Sequence, residues 1–527
     1  MARSLGLIGK FATVGGATMA SRVLGLLREV MIAAALGAGP VADVFYVCFR
    51  FPNLFRRLFA EGAFNIAFVP LFAKELEGGG EAAARQFGQS VFNVLASWLI
   101  LFTGLALIVM PWLVATVVAP GFVDTPDKFD LAVDMTRIMF PYLMFMSLVA
   151  MFSGVLNSLR RYFLAAFVPV LLNVILIAVL SAALVFDMSD LMLGYGLAWG
   201  VLVSGVAQFV LLLWGVRREG FHFRLGLPKM TPRVKRLLVL MGPGLLTGGV
   251  LQINLLIGTI IATAQDGANA LLNYADRLNQ LPLGIIGIAV GVVLLPELSR
   301  ALKEGDHAEA ERLQNRSLEF ALALTLPAAV GLMVLPNEIV SLVYERGATN
   351  AETVRLVSLA LIAFASGLPA YVALKVFQPA FFAREDMKTP FYFSCVMVAV
   401  NVALSLALFP VLGHVAIAIA TSVAAWVNLV LLAATSWRRG DFRPDSRTLK
   451  RLFLIALAAI LMGAALWLAR TYLGDMLTTA GFMLKLPLVG GLIAAGAIVY
   501  FGMVIATGAI DRSLFTRLLR RRRSSVS

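Results

Sequence analysis

The sequence predicts an all-α polytopic membrane protein. Three observations carry that prediction: a composition too apolar for a water-facing surface, apolar runs of about twenty residues along the whole chain, and basic residues confined to alternate connections. Of 527 residues, 60% are hydrophobic and only 14% charged. A soluble chain of this length would divide into several domains with polar surfaces. The polar residues here are too few to cover them.

At about twenty residues per crossing, the apolar runs predict about fourteen helices. They fall near 8–36, 41–73, 87–118, 130–157, 163–186, 190–216, 237–264, 268–300, 316–335, 353–382, 389–409, 413–436, 451–472 and 484–508. The N-terminus carries Arg3 and Lys10 without a short apolar core and small-residue cleavage site, so it reads as the start of the first helix rather than a signal peptide. The connections divide by charge. "LRRY" (159–162), 216–237, 299–316, "AREDMK" (383–388), 437–451 and the tail "TRLLRRRRSS" (516–525) are basic. "ALGAGPVA" (35–42), "APGFVDTPDKFD" (119–130), "FDMSD" (186–190) and "AQDGAN" (264–269) are nearly free of Lys and Arg. By the positive-inside rule, both termini are expected in the cytoplasm. The net charge of +14 therefore reports orientation rather than nucleic acid, and the arginine-rich tail reads as an anchor at anionic lipid. The 2 cysteines and 3 histidines are scattered, so neither a disulfide framework nor a Cys- or His-ligated metal site is expected.

The chain repeats itself. Residues 41–76 lie over 267–302 without a gap, so that Asn53 meets Asn279 and Pro70 meets Pro296 at a constant offset. Parallel repeats suggest two bundles related by an axis along the membrane normal, with a cavity between them. The expected division is an N-lobe of helices 1–6 (1–220), a C-lobe of helices 7–12 (221–440), and helices 13–14 with the basic tail (441–527). The lobes are expected to be related by a pseudo-two-fold.

Charges inside the apolar runs are the second theme. One charged side chain at the bilayer centre costs roughly 2.5–3.5 kcal/mol on insertion scales. Yet "SRVLGLLREV" (21–30) places Arg22, Arg28 and Glu29 near the middle of the first helix. Arg22 and Glu29 lie within about 20° of one face at 3.6 residues per turn. On the second helix Asp43, Arg50, Arg57 and Glu61 form a stripe about 40° wide, with Arg56 beside it and Pro52 interrupting it. In the second repeat Asn269, Asn273, Asp276 and Gln280 echo that pattern, with Arg277 adjacent. Snorkelling explains one arginine near a helix end but not a set spread about 20 Å along a helix. Arg22, Arg28, Arg50, Arg56, Arg57, Arg277 and Lys375 outnumber Glu29, Asp43, Glu61 and Asp276. A cavity with a cationic surplus selects an anion, and the planar guanidinium favours phosphate or carboxylate oxygens. No P-loop, H-E-x-x-H or G-x-S-x-G occurs, so neither ATP hydrolysis nor an enzyme reaction has a visible home.

At these residues the sequence resembles the MurJ (MviN) family of bacterial lipid II flippases. "SRVLGLLRE", "ADVFYVCFRFPNLFRRLFAEGAFNIAFVPLFAKE", "APGF" and "NYADRLNQLPLGIIGIAVGVVLLPELS" carry the resemblance, which covers nearly the whole chain. It implies a fourteen-helix exporter fold of two lobes in the bacterial inner membrane. It also implies movement of undecaprenyl-diphosphate-linked disaccharide-pentapeptide, lipid II, from the cytoplasmic to the periplasmic leaflet. The family's important positions match Ser21, Arg22, Arg28, Asp43, Arg56, Glu61 and Arg277. The chain departs from the family's pattern at Glu29, usually Asp, at Arg50, often Lys, and at Gln280, often acidic. The last two helices are implied to make an apolar groove for the polyprenyl tail.

The expected mechanism is alternating access without ATP or a cofactor, with diphosphate held by Ser21, Arg22, Arg28, Glu29, Asp43, Arg50, Arg56, Arg57, Glu61, Asp276 and Arg277. Glu29 is expected to pair with Arg277 across the lobes and help close the periplasmic side. Sodium or a proton is an open choice of coupling ion; Gln252, Asn254, Asn401 and Thr421 are polar enough to line a small-cation site, though interhelical hydrogen bonding is the commoner role. Expected partners are lipid II, membrane lipids and the cell-wall synthesis machinery, and not nucleic acid. The alternative reading is a flippase for another polyprenyl-diphosphate glycan. A cation-exporting antiporter would need an acidic cavity, and a membrane transferase would need paired carboxylates in a cytoplasmic loop.

Overall fold

The computed structural model describes residues 2–57, 64–479 and 481–509. Its described elements are helical, with no strand among the described residues. They are α1 (Ala2–Leu36), α2 (Pro40–Phe55), α3 (Phe64–Ile108), α4 (Met110–Leu113), α5 (Pro126–Met139), α6 (Tyr142–Ser158), α7 (Tyr162–Val185), α8 (Asp190–Arg218) and α9 (Pro232–Ala262). There follow α10 (Ala268–Lys303), α11 (His307–Val334), α12 (Pro336–Tyr344), α13 (Ala351–Ala383), α14 (Lys388–Leu412), α15 (His414–Arg439), α16 (Ser446–Tyr472), α17 (Gly474–Thr479) and α18 (Phe482–Ala506). Among the described residues, 10 helical stretches are long and apolar enough to cross a membrane. The expected crossings outside that set fall on α1, α2, α9 and α10. Of these, α1, α2 and α10 carry the predicted charges.

Four boundaries differ from the sequence expectation, and each difference has a local cause. The expected helix 41–73 is α2 only as far as Phe55, where the N–H of Arg56 is shared between the carbonyls of Pro52 and Asn53. Residues 56–57 then form a π turn; Glu61 lies outside the described residues. The chain resumes at Phe64 and runs through the expected connection into the next crossing, bending at Gly80 (φ 71°). The expected crossing 130–157 starts at Pro126 and is broken before Tyr142, at Pro141. The basic connection 299–316 is mostly helix, because the Asp306 carboxylate accepts the Glu309 N–H (2.9 Å) and caps α11. The basic tail lies outside the described residues.

The chain separates into two compact units, one of residues 1–270 with 346–349, the other of residues 271–345 with 350–527. In the first, α1 lies along α7, α8 packs on α6 and α7, α3 packs on α6 and α9, and α2 packs on α5. Its core is a run of phenylalanine rings. Phe68 stacks on Phe87 (5.9 Å between centroids), Phe92 on Phe152 (6.0 Å), and Phe223 on Phe152 (5.5 Å). Phe221 and Phe223 alternate with exposed His222 and Arg224, so the extended stretch after α8 buries one edge against α3. Gln89 of α3 fastens that stretch, accepting the Arg224 N–H (3.0 Å) and donating to the Arg224 carbonyl (2.5 Å).

In the second unit α13 packs between α11 and α15, α14 lies on α15, and α16 and α18 pack together beside α11. Ion pairs staple α16 at both ends, Arg451–Glu319 (2.9 Å) and Arg470–Glu338 (2.7 Å), and α18 at its start, Lys485–Glu345 (2.9 Å). Between them the Tyr500 hydroxyl donates to the Ala323 carbonyl (2.7 Å), so the one polar atom of a buried ring is satisfied.

Candidate functional site

The first unit holds a cavity of about 730 Å³, lined by Thr18, Ser21, Arg22, Arg56, Arg57, Ala166, Pro169 and Gln252. Helix geometry explains the wall. Thr18, Ser21 and Arg22 stand at i, i+3 and i+4 of α1, one face of a helix, and Ala166 and Pro169 stand three apart on α7. Arg56 and Arg57 enter from the π turn after α2, whose altered phase lets two consecutive side chains face one space. Arg56 is oriented by its own helix end, its Nε donating to Asn53 Oδ1 (2.7 Å). Arg22 makes no hydrogen bond or ion pair among the described residues. Among the described residues the lining contains Arg22, Arg56 and Arg57 and no carboxylate, so this part of the cavity favours an anion presenting several oxygens.

Arg28 and Glu29 lie outside that lining. Both are buried (9% and 4% exposed), about 9 Å further along α1 than Arg22 at 1.5 Å per residue. Arg28 forms an ion pair with Glu29, and its Nη1 donates to Asn173 Oδ1 of α7 (3.0 Å). Asn173 Nδ2 in turn donates to the Ser21 carbonyl (3.0 Å), and the Tyr46 hydroxyl of α2 donates to Glu29 Oε2 (2.6 Å). This network ties α1, α2 and α7 together and sets the height of Ser21 in the cavity wall. Within the first unit the Glu29 carboxylate is engaged by Arg28 and Tyr46; Arg277, its expected partner, belongs to the second unit.

The other predicted residues take different places. Arg50 reaches α9, where its Nη1 donates to Thr259 Oγ1 (2.8 Å). Asp43 is fully buried, bonded to Lys128 Nζ (2.8 Å) and to the Asn269 N–H (2.9 Å). Asp276 and Arg277 belong to the second unit. There Asp276 accepts from the Gln280 amide, and Arg277 Nε is buried without a hydrogen-bond partner among the described residues. Gln252, expected near a cation, instead lines the arginine cavity. The Thr421 hydroxyl donates back to the Ile417 carbonyl (2.6 Å), and the Thr421 carbonyl accepts from the Tyr371 hydroxyl of α13 (3.1 Å). Among the described residues, no group of three or more His, Cys, Asp or Glu side chains is placed to hold a metal ion.

Sequence reasoning missed Lys128, Asn173, Tyr46 and Thr18. Lys128 left a signal, as the lone basic residue in a connection otherwise free of Lys and Arg. The neutral residues left none, since an Asn or Tyr in an apolar helix looks the same whether it meets lipid or a guanidinium.

An all-helical membrane protein whose prolines break several crossings, and whose polar cavity is walled by arginines, has the build of a transporter for an anionic solute. Residues 32–487 match the family model described as Lipid II flippase MurJ, and the chain belongs to that family. It is 49% identical over 520 residues to a Rhizobium tropici protein named "Probable lipid II flippase MurJ", covering 98% of each chain. It is 36% identical to the "Lipid II flippase MurJ" of Burkholderia cenocepacia, over 94% of this chain and 96% of that one. Among solved structures, a lipid II flippase MurJ in an inward closed conformation superposes with a TM-score of 0.76 at 24% identity, over 93% of this chain and 99% of that one. An inward-facing MATE multidrug resistance transporter of the MOP superfamily superposes at 0.63 with 14% identity, over 81% of this chain and 97% of that one. These likenesses establish the fold.

Proposed function

We propose that this chain carries lipid II from the cytoplasmic to the periplasmic leaflet of the bacterial inner membrane by alternating access, with both termini in the cytoplasm. The supporting observation is the cavity walled by Arg22, Arg56 and Arg57, with no carboxylate among the described residues of its lining. A diphosphate carries its charge on several oxygens around two phosphorus atoms, and guanidiniums bind such oxygens two at a time. Ser21 and Thr18 add hydroxyl donors on the same wall. A volume of about 730 Å³ falls in the ordinary range of a ligand pocket, roughly 300–1,000 Å³, and accommodates a diphosphate with part of its sugar. The polyprenyl tail stays in lipid, and the reaction moves the molecule without breaking a bond. Arg28, Glu29 and Asn173 hold the wall in place. Coupling to sodium or a proton, and contact with cell-wall synthesis enzymes, complete the proposal.

Depletion of the protein in its native bacterium, with lipid II measured separately in each leaflet, tests it. Lipid II should accumulate in the inner leaflet and return to the outer leaflet on re-expression. An unchanged leaflet distribution would refute the proposal, and accumulation of a different polyprenyl-diphosphate glycan would replace the substrate.

A further inference from the structure

We infer that Lys128 is a positioning residue for transport: it holds the Asp43 carboxylate against the start of α10, in a contact that must open for the cycle to turn over. The inference rests on the flippase reading and concerns a cluster away from the arginine cavity. Lys128 Nζ lies 2.8 Å from Asp43 Oδ2, 2.8 Å from Asp266 Oδ1 and 4.1 Å from the centre of the Phe122 ring. The Lys128 side chain is 5% exposed and that of Asp43 0%, whereas Asp266 is 89% exposed. The ammonium therefore bridges a sealed carboxylate and one in solvent.

Asp43 spends its other oxygen on a helix end. The residue before α10 is Gly267, which has no side chain to cap the first turn. Asp43 accepts the Asn269 N–H (2.9 Å) instead, from 226 positions earlier in the chain. That spacing is the repeat offset, so the cap joins equivalent places of the two repeats. An anion at a helix N-terminus is favourable, but a cap borrowed from another helix breaks whenever the two helices part. A second contact closes the same corner. The Gly121 N–H donates to Thr263 Oγ1 (3.1 Å), and a Cβ at residue 121 would lie 2.5 Å from the Thr263 carbonyl.

Two features separate this cluster from a plain structural staple. A well-packed apolar cluster generally matches a buried ion pair in stability, so stability alone does not call for the pair. The Asn269 side chain, 1% exposed, has neither its Nδ2 nor its Oδ1 hydrogen-bonded. A buried amide without a partner calls for an explanation, and opening of this contact supplies one by bringing the amide to solvent. Asp266, 89% exposed, keeps one side of the Lys128 ammonium beside a solvent-facing carboxylate.

The test uses the full-length protein, reading lipid II binding by the purified chain and lipid II movement in cells depleted of the native copy. Lys128→Met should bind lipid II within about two-fold of wild type and flip it at least about ten-fold more slowly, while Lys128→Arg should keep most of the rate. Lys128→Met combined with Asp43→Asn should be no slower than Asp43→Asn alone, since Lys128 acts through Asp43. A cysteine at 269 should react with a water-soluble maleimide faster in Lys128→Met than in the parent. If Lys128→Met fails to accumulate, Lys128→Arg and the double variant carry the same test. Parallel loss of binding and flipping would make Lys128 part of the substrate site and overturn the inference, as would normal flipping in Lys128→Met. Failure of the wild-type protein to bind lipid II would instead overturn the flippase reading.

Discussion

Replacing Glu29 by glutamine isolates what the buried carboxylate contributes. The side chain keeps its shape and one accepting oxygen, so packing is unchanged and only the charge is lost. Arg28, 9% exposed, is then left with the neutral Asn173 oxygen at 3.0 Å. Breaking a buried ion pair from one side costs about 3–5 kcal/mol. The hydrogen bonds glutamine can still accept recover about 1 kcal/mol, leaving a net loss of about 2–4 kcal/mol. For a unit of this size each kcal/mol moves the melting temperature by roughly 2–4 °C, so Tm should fall by about 5–15 °C. Tyr46→Phe, which removes the hydroxyl 2.6 Å from Glu29 Oε2, should cost about 1.5–3 kcal/mol. Arg28→Met with Glu29→Leu replaces both charges by apolar volume and should return to within about 1 kcal/mol of wild type. Intrinsic fluorescence of the full chain in detergent during heating reads all four proteins. A Tm for Glu29→Gln within about 1 °C of wild type, or a double variant as unstable as the single one, would refute the argument that this pair carries the charge balance of α1.

Three further outcomes follow from other parts of the molecule. Arg56→Ala should insert normally yet fail to support growth in a depletion strain, and Arg56→Lys should rescue only partly, because a point charge lacks the two-pronged contact; full complementation by Arg56→Ala would remove it from the site. Gly367→Ala should destabilise the second unit by about 1–3 kcal/mol, because the new Cβ would lie 2.5 Å from Ser422 Oγ; an unchanged melting curve would contradict that packing. In the connection before α14, burial opposes ionisation of Asp386, but hydrogen bonds from the Thr389 hydroxyl and N–H and the Arg439 guanidinium outweigh it and hold the carboxyl down at about 2. Its folded-state value lies below the unfolded one, about 3.9. Its contribution is therefore present above pH about 4 and lost as pH falls toward about 2. Solvent screening limits that contribution to about 1 kcal/mol. Asp386→Asn should be less stable than wild type at neutral pH and converge with it toward pH about 2; a constant gap across that range would reject the assignment.

The solvent of this fold and the sign of its interior charge are legible in the order of residues alone. Whether a segment prefers lipid depends on its local composition, so the apolar runs were legible one by one. Charge phase along a single helix is also local, which is why Arg22 and Glu29 could be read as sharing one face of the first helix. Only the tertiary structure decided which charges share a space. Arg22 and Arg28 look alike on α1, yet Arg22 lines the cavity while Arg28 is spent on Glu29 and Asn173. The difference lies in α7, 145 residues away from Arg28 at Asn173. The π turn at 56–57 was equally hidden, because helical periodicity assumes a constant phase. Lys128 meets Asp43 across 85 residues, a pairing set by the packing of α2 on α5. Periodicity speaks only within one helix, and the partner of a buried charge is chosen between helices.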